Sequence, residues 1–153
     1  MKRFVVCKTC GARVSGLLDS PVALDFITKA EQELLSGGEY GNGDNGNVYI
    51  STSDKHHLSY HQDQNRLIGC CGPSPYGLPN LVCICKSEIG REVTDCCTAH
   101  YVMLYKERIA IREDNTGLLE KVVSLPVAED LKSQYEILIN FGEIEIVLNA
   151  LKM

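Results

Sequence analysis

The chain has 153 residues, a hydrophobic share of 44% and a formal net charge of −5 at pH 7. A chain of this length is one domain, or one domain with a small appendage, and it buries about 68–70% of its unfolded surface, so a core forms without staples. The acidic balance argues against nucleic-acid binding, because phosphate contact needs a basic face and no Lys/Arg cluster follows Lys2-Arg3. An acidic surface suits a basic protein partner.

The apolar run after Lys2-Arg3 is only Phe4-Val5-Val6, too short for a signal peptide, and no stretch approaches a membrane span. The expectation is a protein of the reducing cytoplasm with no membrane contact. There, paired cysteines mean metal or redox chemistry more often than disulfides.

Phe4 to Val6 leads into Cys7-Lys8-Thr9-Cys10-Gly11, and Gly11 to Leu18 leads away, so residues 4–18 are expected as a hairpin with the cysteines at its tip. Val22 to Leu35 is expected as a helix. Leu24, Ile27, Ala30 and Leu34 fall near one face, Pro21 suits the start and Gly37-Gly38 the stop. Residues 37–47 are rich in Gly and Asn and are expected as a surface loop. An EF-hand fails there, since Gly46 at the sixth position puts Thr52 where Glu must stand.

Val48 to Ser51 and Arg66 to Ile68 are expected as strands, followed by Gly69-Cys70-Cys71-Gly72 and a Pro/Gly loop over residues 73–80. Leu81 to Ile84 resumes as strand. Val102 to Tyr105 and Arg108 to Ile111 are expected to pair as a hairpin around Lys106-Glu107. After a break at Asn115-Thr116-Gly117, residues 127–151 fit either a helix or a hairpin turning at Gly142-Glu143.

Eight cysteines fall in four tight pairs: Cys7/Cys10, Cys70/Cys71, Cys83/Cys85 and Cys96/Cys97. Two short loops with two thiols each are what a tetrahedral metal site needs. Cys7-x-x-Cys10-Gly11 has knuckle spacing, with Gly free to take the turn. Cys83 and Cys85, at i and i+2, share one face of an extended strand. Adjacent cysteines on an extended chain point to opposite faces, so Cys70/Cys71 and Cys96/Cys97 suit one ion less well. The expected ligands are Cys7, Cys10, Cys83 and Cys85 around a structural Zn2+, with Cys70, Cys71 or Cys96 as alternative ligands. Whether a second metal exists is left open by the sequence.

A thioredoxin-type redox motif needs a helix start after Cys-x-x-Cys, and Gly11-Ala12-Arg13-Val14-Ser15-Gly16 is a poor one. His56, His57 and His61 sit beside Asp54 and Asp63, but a zincin needs Glu after the first His and Leu58 stands there. A polar surface turn is the plainer reading, and His100 is expected to be a packed histidine.

The run Gly69-Cys70-Cys71-Gly72, then Gly77, Asn80, Cys83-x-Cys85, Gly90 and Asp95-Cys96, resembles small, uncharacterised bacterial proteins rich in cysteine. The resemblance covers about the first two-thirds of the chain. It implies a bacterial, metal-binding, non-secreted protein and carries no activity. The chain departs from that pattern at Lys86, where Gly would be expected after the second thiol.

The expected fold is α+β: a mainly antiparallel sheet, one N-terminal helix and a zinc-ribbon-like metal site. Residues 1–115 are expected as the zinc-stabilised core, and 116–153 as a C-terminal helix or hairpin extension on the same domain. The expected function is a non-enzymatic, zinc-binding protein-interaction module, for example an immunity-type protein that binds a basic toxin. The alternative is a thiol-redox or metal-dependent enzyme using the paired cysteines. Partner and oligomeric state are not specified by the sequence.

Overall fold

The computed structural model describes residues 2–114. The extension expected over 116–153, with its choice between helix and hairpin, lies outside the described residues. The strands are β1 (Arg3–Cys7), β2 (Ser20–Pro21), β3 (Glu39–Asn42), β4 (Val48–Ile50), β5 (Leu58–Tyr60), β6 (Leu81–Cys83), β7 (Glu88–Val93), β8 (Tyr101–Leu104) and β9 (Ile109–Glu113). Seven form one sheet in the order β2-β3-β4-β8-β7-β6-β5, and β1 and β9 form a separate two-stranded ladder. Among the described strands, only the short β2–β3 pair is parallel; the other strand pairs are antiparallel.

Alternation along the central strands makes two faces. Val48 and Ile50 of β4, with Val102 and Leu104 of β8, point into a core shared with Val5, Val14, Leu18, Leu81, Ile89 and Ile109. This core is where the β1–β9 ladder meets the sheet, and it includes Cys7 and Cys83. Tyr49, Tyr101 and Met103 belong instead to a second cluster with Leu34, Leu35, Val93 and Ala99.

The α+β expectation is overturned. Among the described residues there is no α-helix, and the helical pieces are two 3-10 turns, Thr52–Asp54 and Gln64–Leu67. The helix expected over Val22 to Leu35 fails for a specific reason. Asp25 begins it as a helix cap would, accepting from the N–H groups of Ile27 (3.2 Å) and Thr28 (3.0 Å). The later N–H groups then go elsewhere: Glu31 donates to the Thr98 carbonyl (2.7 Å) and Leu34 to that of His100 (2.8 Å). Glu31 takes φ +62°, which breaks a helix. Val22, Leu24, Leu34 and Leu35 cover the second face of the sheet as an irregular strap, while Ile27 is 90% exposed. Phe26 packs edge-on against Tyr49 and Tyr101, with ring centroids 5.6 Å from each. Tertiary cover overrode the helical spacing.

Three smaller expectations also change. Glu39–Asn42, expected in a loop, pairs with β4, so only the tip of that Gly/Asn stretch is a turn. Arg66 to Ile68 is not a strand; it carries the end of a 3-10 turn, and Ile68 is 65% exposed. The strands expected around Lys106-Glu107 exist but do not pair with each other: β8 joins β4 and β7, whereas β9 joins β1. The turn at 105–108, closed by Arg108 N–H to the Tyr105 carbonyl (2.9 Å), carries the chain from sheet to ladder.

Candidate metal centre

Two hairpin tips build the centre. The first follows β1. Residues 13–18 run back along it, with Val14 N–H donating to the Val5 carbonyl (2.8 Å) and Leu18 N–H to that of Arg3 (2.7 Å). At the tip, Cys7 N–H donates to the Ala12 carbonyl (2.9 Å) and Gly11 N–H to that of Cys7 (2.8 Å). Gly11 takes φ +75°, the left-handed turn that brings the Ala12 N–H back onto the Cys10 sulfur (3.4 Å).

The second tip joins β6 to β7 and repeats this closure. Cys83 N–H donates to the Ser87 carbonyl (3.0 Å), and Lys86 N–H to that of Cys83 (2.8 Å). Lys86 has φ +74° and fills the left-handed role that Gly11 has in the first tip. The expectation that Cys83 and Cys85 share the face of an extended strand is therefore corrected. Cys83 ends β6, and Cys85 is brought round by a turn.

The sulfurs of Cys7, Cys10, Cys83 and Cys85 all lie within 4.8 Å of one another. Cys7 and Cys85 are 3.8 Å apart, and Cys10 and Cys83 3.5 Å. A tetrahedral shell with metal–sulfur bonds of about 2.3 Å has edges of about 3.8 Å. A disulfide would need about 2.05 Å. The four thiols are thus spaced to hold a metal ion.

Burial differs across the four. Cys7 and Cys83 are buried in the core, Cys85 is half-buried and Cys10 is exposed. Burial pushes the Cys83 thiol up to about 12. The Ser87 hydroxyl, 3.2 Å from the Cys85 sulfur, draws that thiol down to about 6. A cation here replaces the protons that these sulfurs would otherwise share.

Cys70, Cys71 and Cys96, the alternative ligands, do not enter this centre. They form a second group of their own. The histidines do not assemble either; both groups of metal-capable side chains among the described residues consist of cysteines. His57 Nδ1 contacts the Arg13 carbonyl (2.8 Å), whereas His61 Nε2 contacts Glu88 (3.1 Å). His100, half-buried, contacts the Asp95 carbonyl through Nε2 (3.1 Å).

The sequence reading missed a buried carboxylate. Glu92 on β7 is 2% exposed, pairs with Lys55 and accepts from the Tyr60 hydroxyl. Its backbone is held by Asn80, whose amide donates to the Glu92 carbonyl (3.0 Å) and accepts from the Glu92 N–H (2.7 Å). Glu88, Arg91 and Glu92 all lie in β7, so the strand's composition alone did not single out Glu92 as the buried one.

No helix among the described residues is long and apolar enough to cross a membrane. No protein-family model matches the chain, and no curated protein or solved structure matches it.

Proposed function

We propose that this protein is a non-enzymatic protein-interaction module held together by one structural zinc ion on Cys7, Cys10, Cys83 and Cys85. The observation that carries the reading is the convergence of four sulfurs, two per hairpin tip, at the spacing of a closed tetrahedral shell. Zinc suits an all-sulfur shell with no redox demand. Such a zinc-ribbon-like site ties β1 to the β6–β7 hairpin, so it supports the fold rather than presenting an open coordination position. The Cys-x-x-Cys lies at a hairpin tip and is followed by a returning chain. Disulfide exchange of the thioredoxin type needs that motif at a helix start. The net charge of −5 supports a basic protein partner, as an immunity-type protein would have for a basic toxin.

The test is metal content per chain on protein purified without added metal, with each cysteine mapped by alkylation before and after chelation. The reading expects zinc, with Cys7, Cys10, Cys83 and Cys85 protected until the chelator is added. Metal-free protein in which Cys7 and Cys10 react at once would sink it and favour a thiol enzyme.

A further inference from the structure

We propose that Cys70, Cys71 and Cys96 form a second metal site, a solvent-facing three-thiolate site for a soft, filled-shell ion. It does not rest on the first site. The three sulfurs lie within 4.8 Å of one another, with Cys70 and Cys71 exposed and Cys96 half-buried. A doublet on an extended chain would point its thiols to opposite faces. Residues 69–72 are a bend instead, which lets both thiols of the doublet face Cys96.

The two loops that carry these thiols are fastened to each other by Asp95. Its Oδ1 accepts from the Cys71 N–H (2.8 Å) and from the Cys96 N–H (2.9 Å), one from each loop. The chain next to the doublet is fastened too, by Thr94 N–H to the Pro73 carbonyl (3.1 Å). Close approach explains the flanking glycines. A Cβ on Gly69 would stand 1.8 Å from the Gly72 carbonyl oxygen, and one on Gly72 would stand 2.7 Å from Thr94 Oγ1. Three hydrogen bonds and two close glycine approaches thus hold the thiol-bearing loops together, with two of the three thiols exposed.

The donor set selects the ion. Thiolates favour zinc and monovalent copper over magnesium, calcium and manganese, which take oxygen. Asp95 accepts the two N–H groups through Oδ1 and does not belong to the group of ligand atoms within 4.8 Å, so it orients the loops. Three protein sulfurs leave a fourth position open to water or to an incoming ligand, as exchangeable and catalytic sites do. The centre on Cys7 and Cys83 is closed and part of the core, so the two sites have different roles. One holds the fold, and the other can take up and give up its ion.

The experiment is a titration of the reduced, metal-stripped full chain with Zn2+ alone, and separately with Cu+ under anaerobic conditions, read by native mass spectrometry. Two ions per chain are expected with at least one of these metals. The double variant Cys70→Ser/Cys71→Ser and the variant Cys96→Ser should each bind one, with Cys7, Cys10, Cys83 and Cys85 still protected from alkylation. Cys97→Ser, at an exposed neighbour outside the group, should keep two. A wild-type chain that binds one ion, lost only with the Cys7 group, overturns the proposal. So do Cys70, Cys71 and Cys96 that alkylate at the same rate with and without metal. A single ion lost in the Cys70→Ser/Cys71→Ser variant would instead uphold this site and sink the first.

Discussion

The sulfur of Cys10 lies 3.5 Å from that of Cys83, across 73 residues of sequence. Nothing local holds them there. Cys10 is on an exposed turn, and Cys83 is buried at the end of a sheet strand. They meet because β1 packs with the sheet around one core, which places Cys7 and Cys83 in the same apolar cluster. A metal ion held by these thiols would close a loop that spans most of the described chain.

Cys10→Ser tests that closure with little loss of packing, since Cys10 is exposed. Apparent binding energies of structural zinc are about 10–16 kcal/mol, comparable to the whole stability of a domain of about 5–15 kcal/mol. The variant should therefore lose several kcal/mol, seen as a lower denaturant midpoint. Hydrogen exchange should quicken first at Cys7–Ala12 and Cys83–Ser87. An unchanged midpoint in the metal-loaded protein would mean that the four thiols hold nothing.

Lys86 occupies a backbone region that favours glycine, with φ +74°. A left-handed residue with a Cβ is disfavoured by about 1–2 kcal/mol, against about 0.5–1 kcal/mol of extra chain entropy for glycine. Lys86→Gly should thus leave stability unchanged or raise it by up to ~1.5 kcal/mol, whereas the β-branched Lys86→Val should lower it. The comparison is made by equilibrium unfolding of both variants, and equal effects would contradict the left-handed assignment.

Glu92 is a buried carboxylate paired with Lys55 and with the Tyr60 hydroxyl. Removing one partner of a buried ion pair costs about 3–5 kcal/mol, because the other charge is left without compensation. Lys55→Met should approach the lower end, since Lys55 is itself 28% exposed. Calorimetric unfolding of this variant beside the wild type checks the value.

Burial first, and Glu92 second, raise the Tyr60 hydroxyl from 10.0 to about 12. Its folded state favours the neutral phenol. That contribution is complete below the unfolded value of 10.0 and is lost as pH rises through about 12. Stability should therefore fall between these two pH values by more in wild type than in Tyr60→Phe. A parallel decline in both proteins would remove Tyr60 as the cause.

Metal uptake should release protons, because sulfur binds as thiolate. Apparent zinc affinity should then rise with pH and fall on acidification, and the heat of binding should vary with the buffer. Calorimetry in two buffers of different ionisation enthalpy reads the proton count directly. No proton release would be incompatible with thiol ligands.

The N-terminal hairpin and its tip were legible because their cause is local. Cys7-x-x-Cys10-Gly11 carries its own turn, and apolar residues on either side carry the strands. The second tip was half legible. The spacing of Cys83 and Cys85 pointed to a shared ion, but Lys86 hid the turn because its left-handed backbone lies outside the usual preference of lysine. Leu24, Ile27, Ala30 and Leu34 had helical spacing, yet the segment follows the sheet because its N–H groups find Thr98 and His100. Val102 to Tyr105 and Arg108 to Ile111 had the alternation of paired strands, but alternation does not name the partner.

The sequence by itself determined which residues could be ligands, that the Cys7-x-x-Cys10-Gly11 turn brings two thiols together, and which residues alternate toward a core. Those properties depend on a few neighbouring dihedrals and on side-chain periodicity. Only the tertiary structure decided which thiol pairs meet, that Cys70 and Cys71 join Cys96 rather than Cys7, and that Glu92 is buried with Lys55 and Tyr60. Those contacts join segments tens of residues apart. Their formation depends on burying two faces of one sheet at once, a condition that no local window of the chain contains.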